Sequence, residues 1–405
     1  MKNVLIVGAN LKNKGAQSML FTTVDAIRKY KPDCAVYYAS DETCDMSEYT
    51  FGHVFYSNHA RQIALQNQKL LHTIKAALSD TAKYLKGKKE NLWCSNDLSK
   101  LIKETECIVD LSGFALGDKW PVKRIERYLD GIRLAQKYQI PIILMPQSFG
   151  PFCFKPEQSY LLDEMKELLP YADIIFAREK EGYAYLKEQF GLSNVRLSSD
   201  LVLQSEGVDP ANIWKHPQSI AAPEIRTDAV GIVPNKKCFT FGSKNDILNL
   251  YRGIMDELRD AGKKLYILRH SKEDREVCRW IYECYADDPD VYLLENDFSC
   301  LEYDEIVKHF QFIICSRFHG AVHAYRNAVP CVLLGWAVKY QELAELLQQG
   351  NYVFNIVENA SETTRIRKCV QGMLQNYENE SEIIKNRVAE IQRESCLDCL
   401  KKYIK

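Results

Sequence analysis

Short apolar runs alternate with stretches of helical periodicity along most of the chain. In the first half, "NVLIVGA", "CAVYYAS", "CIVDLSG", "PIILMPQ" and "ADIIFAR" read as successive buried strands. In the second half, "AVGIVPN", "KKLYILRH", "VYLLEND", "FIICS" and "PCVLLGW" repeat the pattern. Strands this apolar, separated by helical segments, predict parallel sheets covered on both faces, hence an α/β fold of two doubly wound halves. The rhythm breaks between Gln204 and Thr227, where three prolines interrupt a stretch of little periodicity. The division predicted is 1–205, a connection at 206–228, a second domain at 229–375 and a helical tail at 376–405. Polar, amphipathic helix is expected from about Glu358 onward.

A length of 405 residues with 46% hydrophobic content is enough for two cores. The formal net charge of −1 gives no global pull toward nucleic acid, so any basic site must be local. No apolar run approaches the roughly 18 residues of a membrane span, and "MKNVLIVGAN" passes from strand to polar turn without a signal-peptide core. A cytoplasmic protein is expected. The 14 cysteines are scattered through strands and helices as small buried residues would be. Cys396 and Cys399 form the one C-x-x-C, with no second pair to complete a four-ligand zinc site, so an ordinary amphipathic helix is expected there and no metal.

In open parallel sheets, ligands bind beyond the carboxyl ends of the strands. The first such loop, "GANLKNKGAQSML", combines Gly8 and Gly15 with Asn10, Lys12, Asn13 and Lys14, and a helix is expected near Gly15. It suits an anion or a sugar, and it is neither a G-x-G-x-x-G fingerprint nor a P-loop. "DLSGFALGDKW" and "MPQSFGPF" follow later strands. The densest chemistry lies in "FIICSRFHGAVHAYRNAVPCVLLG", where strand gives way to helix at Ser316, Arg317, His319 and Gly320. A helix starting at His319 or Gly320 favours an anion at its N-terminus, Arg317 adds a permanent cationic fork, and Gly320 permits close backbone approach. His319 can exchange a proton near neutrality, while His323, one turn on, is expected to pack or support. Arg269, His270 and Lys272 follow another strand, and a doubly wound sheet can bring them to the same crevice as Arg317 and His319. Arg178, beside Glu179 and Glu181, fits either a salt-bridged helix start or a ligand contact.

"NKGAQSML", "LSGFALGD", "PQSFGP", "ADIIFARE", "SSDLVL" and "SRFHGAVHAYRNAVPCVLLGWAVK" together resemble the polysaccharide pyruvyl transferase family over most of the chain. The resemblance implies two Rossmann-like domains facing across a cleft, as in GT-B glycosyltransferases. It implies transfer of the pyruvyl group of phosphoenolpyruvate onto two sugar hydroxyls, giving a cyclic ketal and phosphate for surface or capsular polysaccharide, with no metal or further cofactor. His319 is then the acid and Arg317 its partner, with Ser316, Gly320, Arg269, His270 and Lys339 around the donor and Asn13 and Asp118 toward the acceptor. One departure is Asn235, where the family often has a basic residue; Lys236 or Lys237 is the available substitute. The acceptor can be a lipid-linked oligosaccharide, and a basic amphipathic pattern at 61–93 offers contact with the inner face of the cell membrane. Two other readings stay open: a GT-B glycosyltransferase using a nucleotide sugar, and a non-catalytic protein that binds sugar or phosphate.

Overall fold

The structure is a computed structural model that describes residues 2–42, 44–65, 97–217, 220, 222–356 and 363–404. The predicted alternation of strand and helix builds two parallel sheets. The first contains β1 (Asn3–Val7), β2 (Ala35–Ser40), β3 (Gly52–Phe55), β4 (Thr105–Asp110), β5 (Phe114–Leu116), β6 (Ile142–Phe149), β7 (Ile174–Ala177) and β8 (Val195–Leu197), in the order β3-β2-β1-β4-β6-β7-β8 with β5 on β6. The second contains β9 (Ala229–Val233), β10 (Lys264–Leu268), β11 (Val291–Leu294), β12 (Ile313–Cys315), β13 (Cys331–Gly335) and β14 (Val353–Asn355), in the order β11-β10-β9-β12-β13-β14. All ten apolar runs are strands. The four strands without such a signal, β3, β5, β8 and β14, are three or four residues long; β8, with one buried and two exposed side chains, leaves almost no apolar pattern to read.

Strand periodicity then decides how the halves meet. On β1, Val4 and Ile6 face one core while Leu5 and Val7 face another. On β12 and β13, Ile313, Cys315, Cys331 and Leu333 join the same core as Val4, whereas Phe312, Ile314, Val332 and Leu334 face a third. One apolar core is therefore shared between the sheets. Helix α1 (Lys14–Tyr30) fills much of it with Leu20, Phe21, Val24 and Ile27, and packs against α2 (Cys300–Val307) and α3 (Phe318–Arg326) of the second half. Asn13 starts α1 by accepting a hydrogen bond from Ala16 N at 3.2 Å.

Helix α4 (Thr363–Arg393) buries the stripe Ile366, Val370, Met373, Ile384 and Val388 against the protein. Its far end returns to the first half, where Gln392 Nε2 donates to Ser205 O at 3.0 Å and Cys396 N to Gln204 Oε1 at 2.7 Å. Cys396 and Cys399 lie in a 3-10 segment, Cys396–Lys402, and not in the amphipathic α-helix expected from the sequence. Of the basic pattern at 61–93, only 61–65 falls within the described residues, and Arg61 there is buried on Asp130. No helix among the described residues is long and apolar enough to cross a membrane.

Candidate active site

In the second sheet the chain order reverses between β9 and β12, which puts a crevice beyond their carboxyl ends. Three neighbouring strands deliver their following residues there: Asn235 after β9, Arg269 and His270 after β10, Ser316 and Arg317 after β12. Helix α3 begins at Phe318, one residue before the expected start, so Arg317 is its cap residue and His319 lies in its first turn. Ser316 is fully buried; its hydroxyl pairs with Tyr251 Oη at 2.7 Å and its carbonyl accepts from Asn235 Nδ2 and Tyr340 Oη. It fixes the strand end. A Cβ on Gly320 would meet Cys315 Sγ at 2.9 Å and Tyr303 Oη at 3.2 Å, so the glycine is required by packing inside the second half and not by ligand approach.

Arg317 is already engaged. Its Nε donates to Asp274 Oδ2 at 2.8 Å, and Nη2 reaches Asp274 Oδ1 and Glu273 Oε1, each at 2.5 Å. Asp274 has no exposed surface and also accepts from Lys236 N and Ser271 N. Neither lysine beside Asn235 takes up a matching position: Lys236 is exposed on Glu276, and Lys237 lies over the Trp336 ring. Arg269 is buried, with Nη2 3.3 Å from both Glu295 O and Asp297 Oδ1, while its Nε has no hydrogen-bond partner.

Three imidazoles lie close together at this end of the sheet. His270 lies 6.5 Å from His319 with the rings nearly parallel and 5.9 Å from His323. Nε2 of His270 and of His319 are buried without hydrogen-bond partners. Burial lowers the pKa of His319 to about 4 against the pull of Asp200, whose Oδ2 is 3.6 Å from Nε2. Burial and the surrounding cations also hold His270 well below the ordinary histidine range. Both rings are neutral at pH 7. His323 acts as support, as expected: Nε2 pairs with Ser18 Oγ at 2.7 Å and Nδ1 with Asp304 Oδ1 at 2.9 Å, tying α1 to α2 and α3.

The first half closes the crevice. A Cβ on Gly15 would fall 2.4 Å from His319 Nδ1, so the N-terminal turn of α1 lies directly against that ring. Arg178 binds Asp200 at 2.8 Å, Glu179 at 3.1 Å and Ser148 Oγ at 2.7 Å, and its guanidinium lies 4.5 Å from the Phe318 ring centre. The salt-bridged reading of Arg178 is the one observed. Lys339 Nζ lies over Phe318 and Trp336, and burial followed by repulsion from Arg178 lowers its pKa to about 8.

Asn13 serves as the α1 cap, and Asp118 accepts from Cys153 N at 3.1 Å while its other oxygen is buried without a partner. Neither lines the large cavity of the first half. That cavity, of 1530 Å³, opens beyond β1, β2 and β4 and is lined by Gly8, Ser40, Tyr56, Asp110, Arg124 and Arg127, among others. Burial raises the Asp110 carboxyl to about 6. Sequence reasoning passed over Asp110, Asp200 and Asp274, and placed Lys14 in a loop suited to an anion or a sugar without giving it a role of its own. "CIVDL", "SSDLVL" and "KED" contain single aspartates whose importance comes from partners 37, 22 and 43 residues away.

Comparison with known proteins agrees with this architecture. The chain aligns over 95% of its length with 91% of MnaA from S. aureus, solved with UDP (13% identity, TM-score 0.56). It aligns over 91% with 92% of the UDP-GlcNAc 2-epimerase from Methanocaldococcus jannaschii (12% identity, TM-score 0.53), and over its whole length with 99% of TarM from S. aureus (10% identity, TM-score 0.54). At these identities the likeness is one of fold, and the fold is that of GT-B glycosyltransferases and epimerases. No curated protein matches the chain. The polysaccharide pyruvyl transferase family model matches residues 13–337, from the cap of α1 through β13, and the chain belongs to that family.

Proposed function

We propose that the protein transfers the pyruvyl group of phosphoenolpyruvate to two hydroxyls of a sugar, forming a cyclic ketal and releasing phosphate. The observation that carries this reading is that the ends of β10 and β12, on either side of β9, deliver buried nitrogens without hydrogen bonds: Arg269 Nε, and His270 Nε2 and His319 Nε2 on rings 6.5 Å apart. Buried polar groups without partners are expensive, and an anionic ligand with several acceptor oxygens satisfies all three. Phosphoenolpyruvate offers phosphate and carboxylate together.

In the reaction the methylene carbon gains a proton and becomes the methyl group, leaving an electron-poor C2 that a sugar hydroxyl attacks with loss of its own proton. A second hydroxyl then attacks C2 and gives up its proton, the C2–O bond to phosphate breaks, and phosphate leaves with that bond's electron pair and takes up the proton. His319 is neutral in the free protein. A dianion beside it offsets the repulsion from Arg178, His323 and Lys339, raises its pKa and allows it to carry the proton to be delivered. Asp200 then stabilises the imidazolium. Arg317 has a different part here from the ligand grip expected from sequence: its carboxylate pairs hold the first turn of α3, and hence His319, in place. The acceptor sugar is assigned to the cavity of the first half, where Asp110 can accept a hydroxyl proton.

Isothermal titration of the free protein with phosphoenolpyruvate and, separately, with UDP tests the donor. Binding of phosphoenolpyruvate that is lost in His270→Ala is expected. Binding of UDP alone would favour a nucleotide-sugar transferase.

A further inference from the structure

The cations around the crevice divide into two kinds. Arg178 lies on Asp200 and Glu179, Arg269 and Lys272 share Asp297, and Arg317 lies on Asp274 and Glu273. Lys339 has no carboxylate within ion-pair distance among the described residues and rests on two aromatic rings. Lys14 is more unusual. It is 4% exposed, at the first position of α1, and its ammonium has neither a hydrogen bond nor an ion pair among the described residues. The charges acting on it belong to the other half: Asp297 and Asp274 attract it and Arg269 repels it. An ammonium at the end of so buried a side chain, with no protein partner, is placed to meet an anion in the crevice.

Three further observations point to the same place. At the start of the 17-residue helix α1, Asn13 N and Ala16 N are taken up by the Asn10 and Asn13 side chains, while the N–H groups of Lys14 and Gly15 have no acceptor among the described residues and stand at the positive end of the helix dipole. The adjoining Gly15 touches His319 and lacks the side chain that would block it. Arg269 Nε, a donor, and His270 Nε2, on residues 3% and 2% exposed, lack hydrogen-bond partners in the second half.

We infer that Lys14 is a donor-binding residue, supplied by the first half, that clamps an anionic group of the donor against Arg269 and His270 of the second. The inference rests on the crevice being the donor site, and it goes beyond that reading by making the site incomplete without α1. Both halves contact one anion, so donor binding also strengthens the junction between them.

The test is calorimetric titration of wild type, Lys14→Met and Lys14→Arg with phosphoenolpyruvate, inorganic phosphate and UDP, with melting temperatures recorded without ligand. Loss of one charge-assisted contact predicts about 10- to 100-fold weaker phosphoenolpyruvate binding in Lys14→Met, with partial recovery in Lys14→Arg. In turnover, KM for phosphoenolpyruvate rises while KM for the acceptor holds. Should Lys14→Met fail to fold, Lys14→Gln takes its place. Folded variants that bind phosphoenolpyruvate as wild type does overturn the inference. UDP binding that depends on Lys14, with phosphoenolpyruvate ignored, keeps the Lys14 anion site and rejects the donor. A wild type that binds none of the three probes rejects both.

Discussion

Arg317 and Asp274 should behave as one structural unit. Asp274 is fully buried, and the Arg317 side chain is 15% exposed, so little solvent screens the pair; the Glu273 carboxylate is 60% exposed and adds little. Removing one partner of a buried pair strands the other charge, at a cost of about 3–5 kcal/mol. Arg317→Met and Asp274→Ala are each expected to lose about that much stability. The double variant should lose far less than the sum, because no charge is left behind, giving a coupling of about 2–4 kcal/mol. Urea unfolding followed by tryptophan fluorescence reports the change, since Trp280 and Trp336 both belong to the second half. Additive losses would refute the reasoning. So would an Arg317→Met protein of unchanged stability that no longer binds phosphoenolpyruvate, for Arg317 would then grip the ligand.

Acid should destabilise the protein through the histidines. The folded pKa of His319, about 4, lies below the unfolded value near 6.5, so between these pH values the unfolded chain binds the extra proton and stability falls as pH falls. The full contribution of His319 is about 3 kcal/mol at pH 4 relative to pH 7, and unfolding curves of His319→Gln should show a correspondingly shallower pH dependence. Gly15→Ala places a methyl group against the His319 ring; it should cost about 1–3 kcal/mol by overpacking and reduce turnover more than donor affinity, as melting and steady-state rates will show. His323→Ala breaks the link from Ser18 to Asp304 and should lower the melting temperature, with Asp304 left buried on Arg326.

Much of the fold is legible in the sequence because a buried parallel strand is a local pattern. Ten apolar runs are enough to place both sheets, while β8 and β14 escape notice because each short strand buries only one side chain, unlike the equally short but wholly buried β12. The site is legible only in part, for the same physical reason. Arg317, His319, Arg269 and His270 stand where strands end, a position the local pattern supplies. What they do depends on partners it does not supply. Arg317 looks like a free cation until Asp274, 43 residues earlier, is folded against it. His323 is read in sequence as packing or supporting, but which elements it ties together appears only when Ser18, 305 residues away, meets its ring. Ser316 and Gly320 look like ligand contacts because of their neighbours in sequence, but Tyr251, Tyr340 and Tyr303 turn them inward. Lys14 is read in sequence as one of the polar residues of a loop suited to an anion or a sugar; that its side chain is buried in the fold is not a local property and could not be read there.

The central claim is the reaction itself. Incubation with phosphoenolpyruvate and a panel of aryl-tagged and lipid-linked sugars, with phosphate release and acceptor mass followed together, tests it most directly. The account predicts phosphate release matched by an acid-labile gain of about 70 Da on the acceptor, lost in His319→Ala. Turnover of a nucleotide sugar in the same panel, with phosphoenolpyruvate neither bound nor consumed, would contradict it.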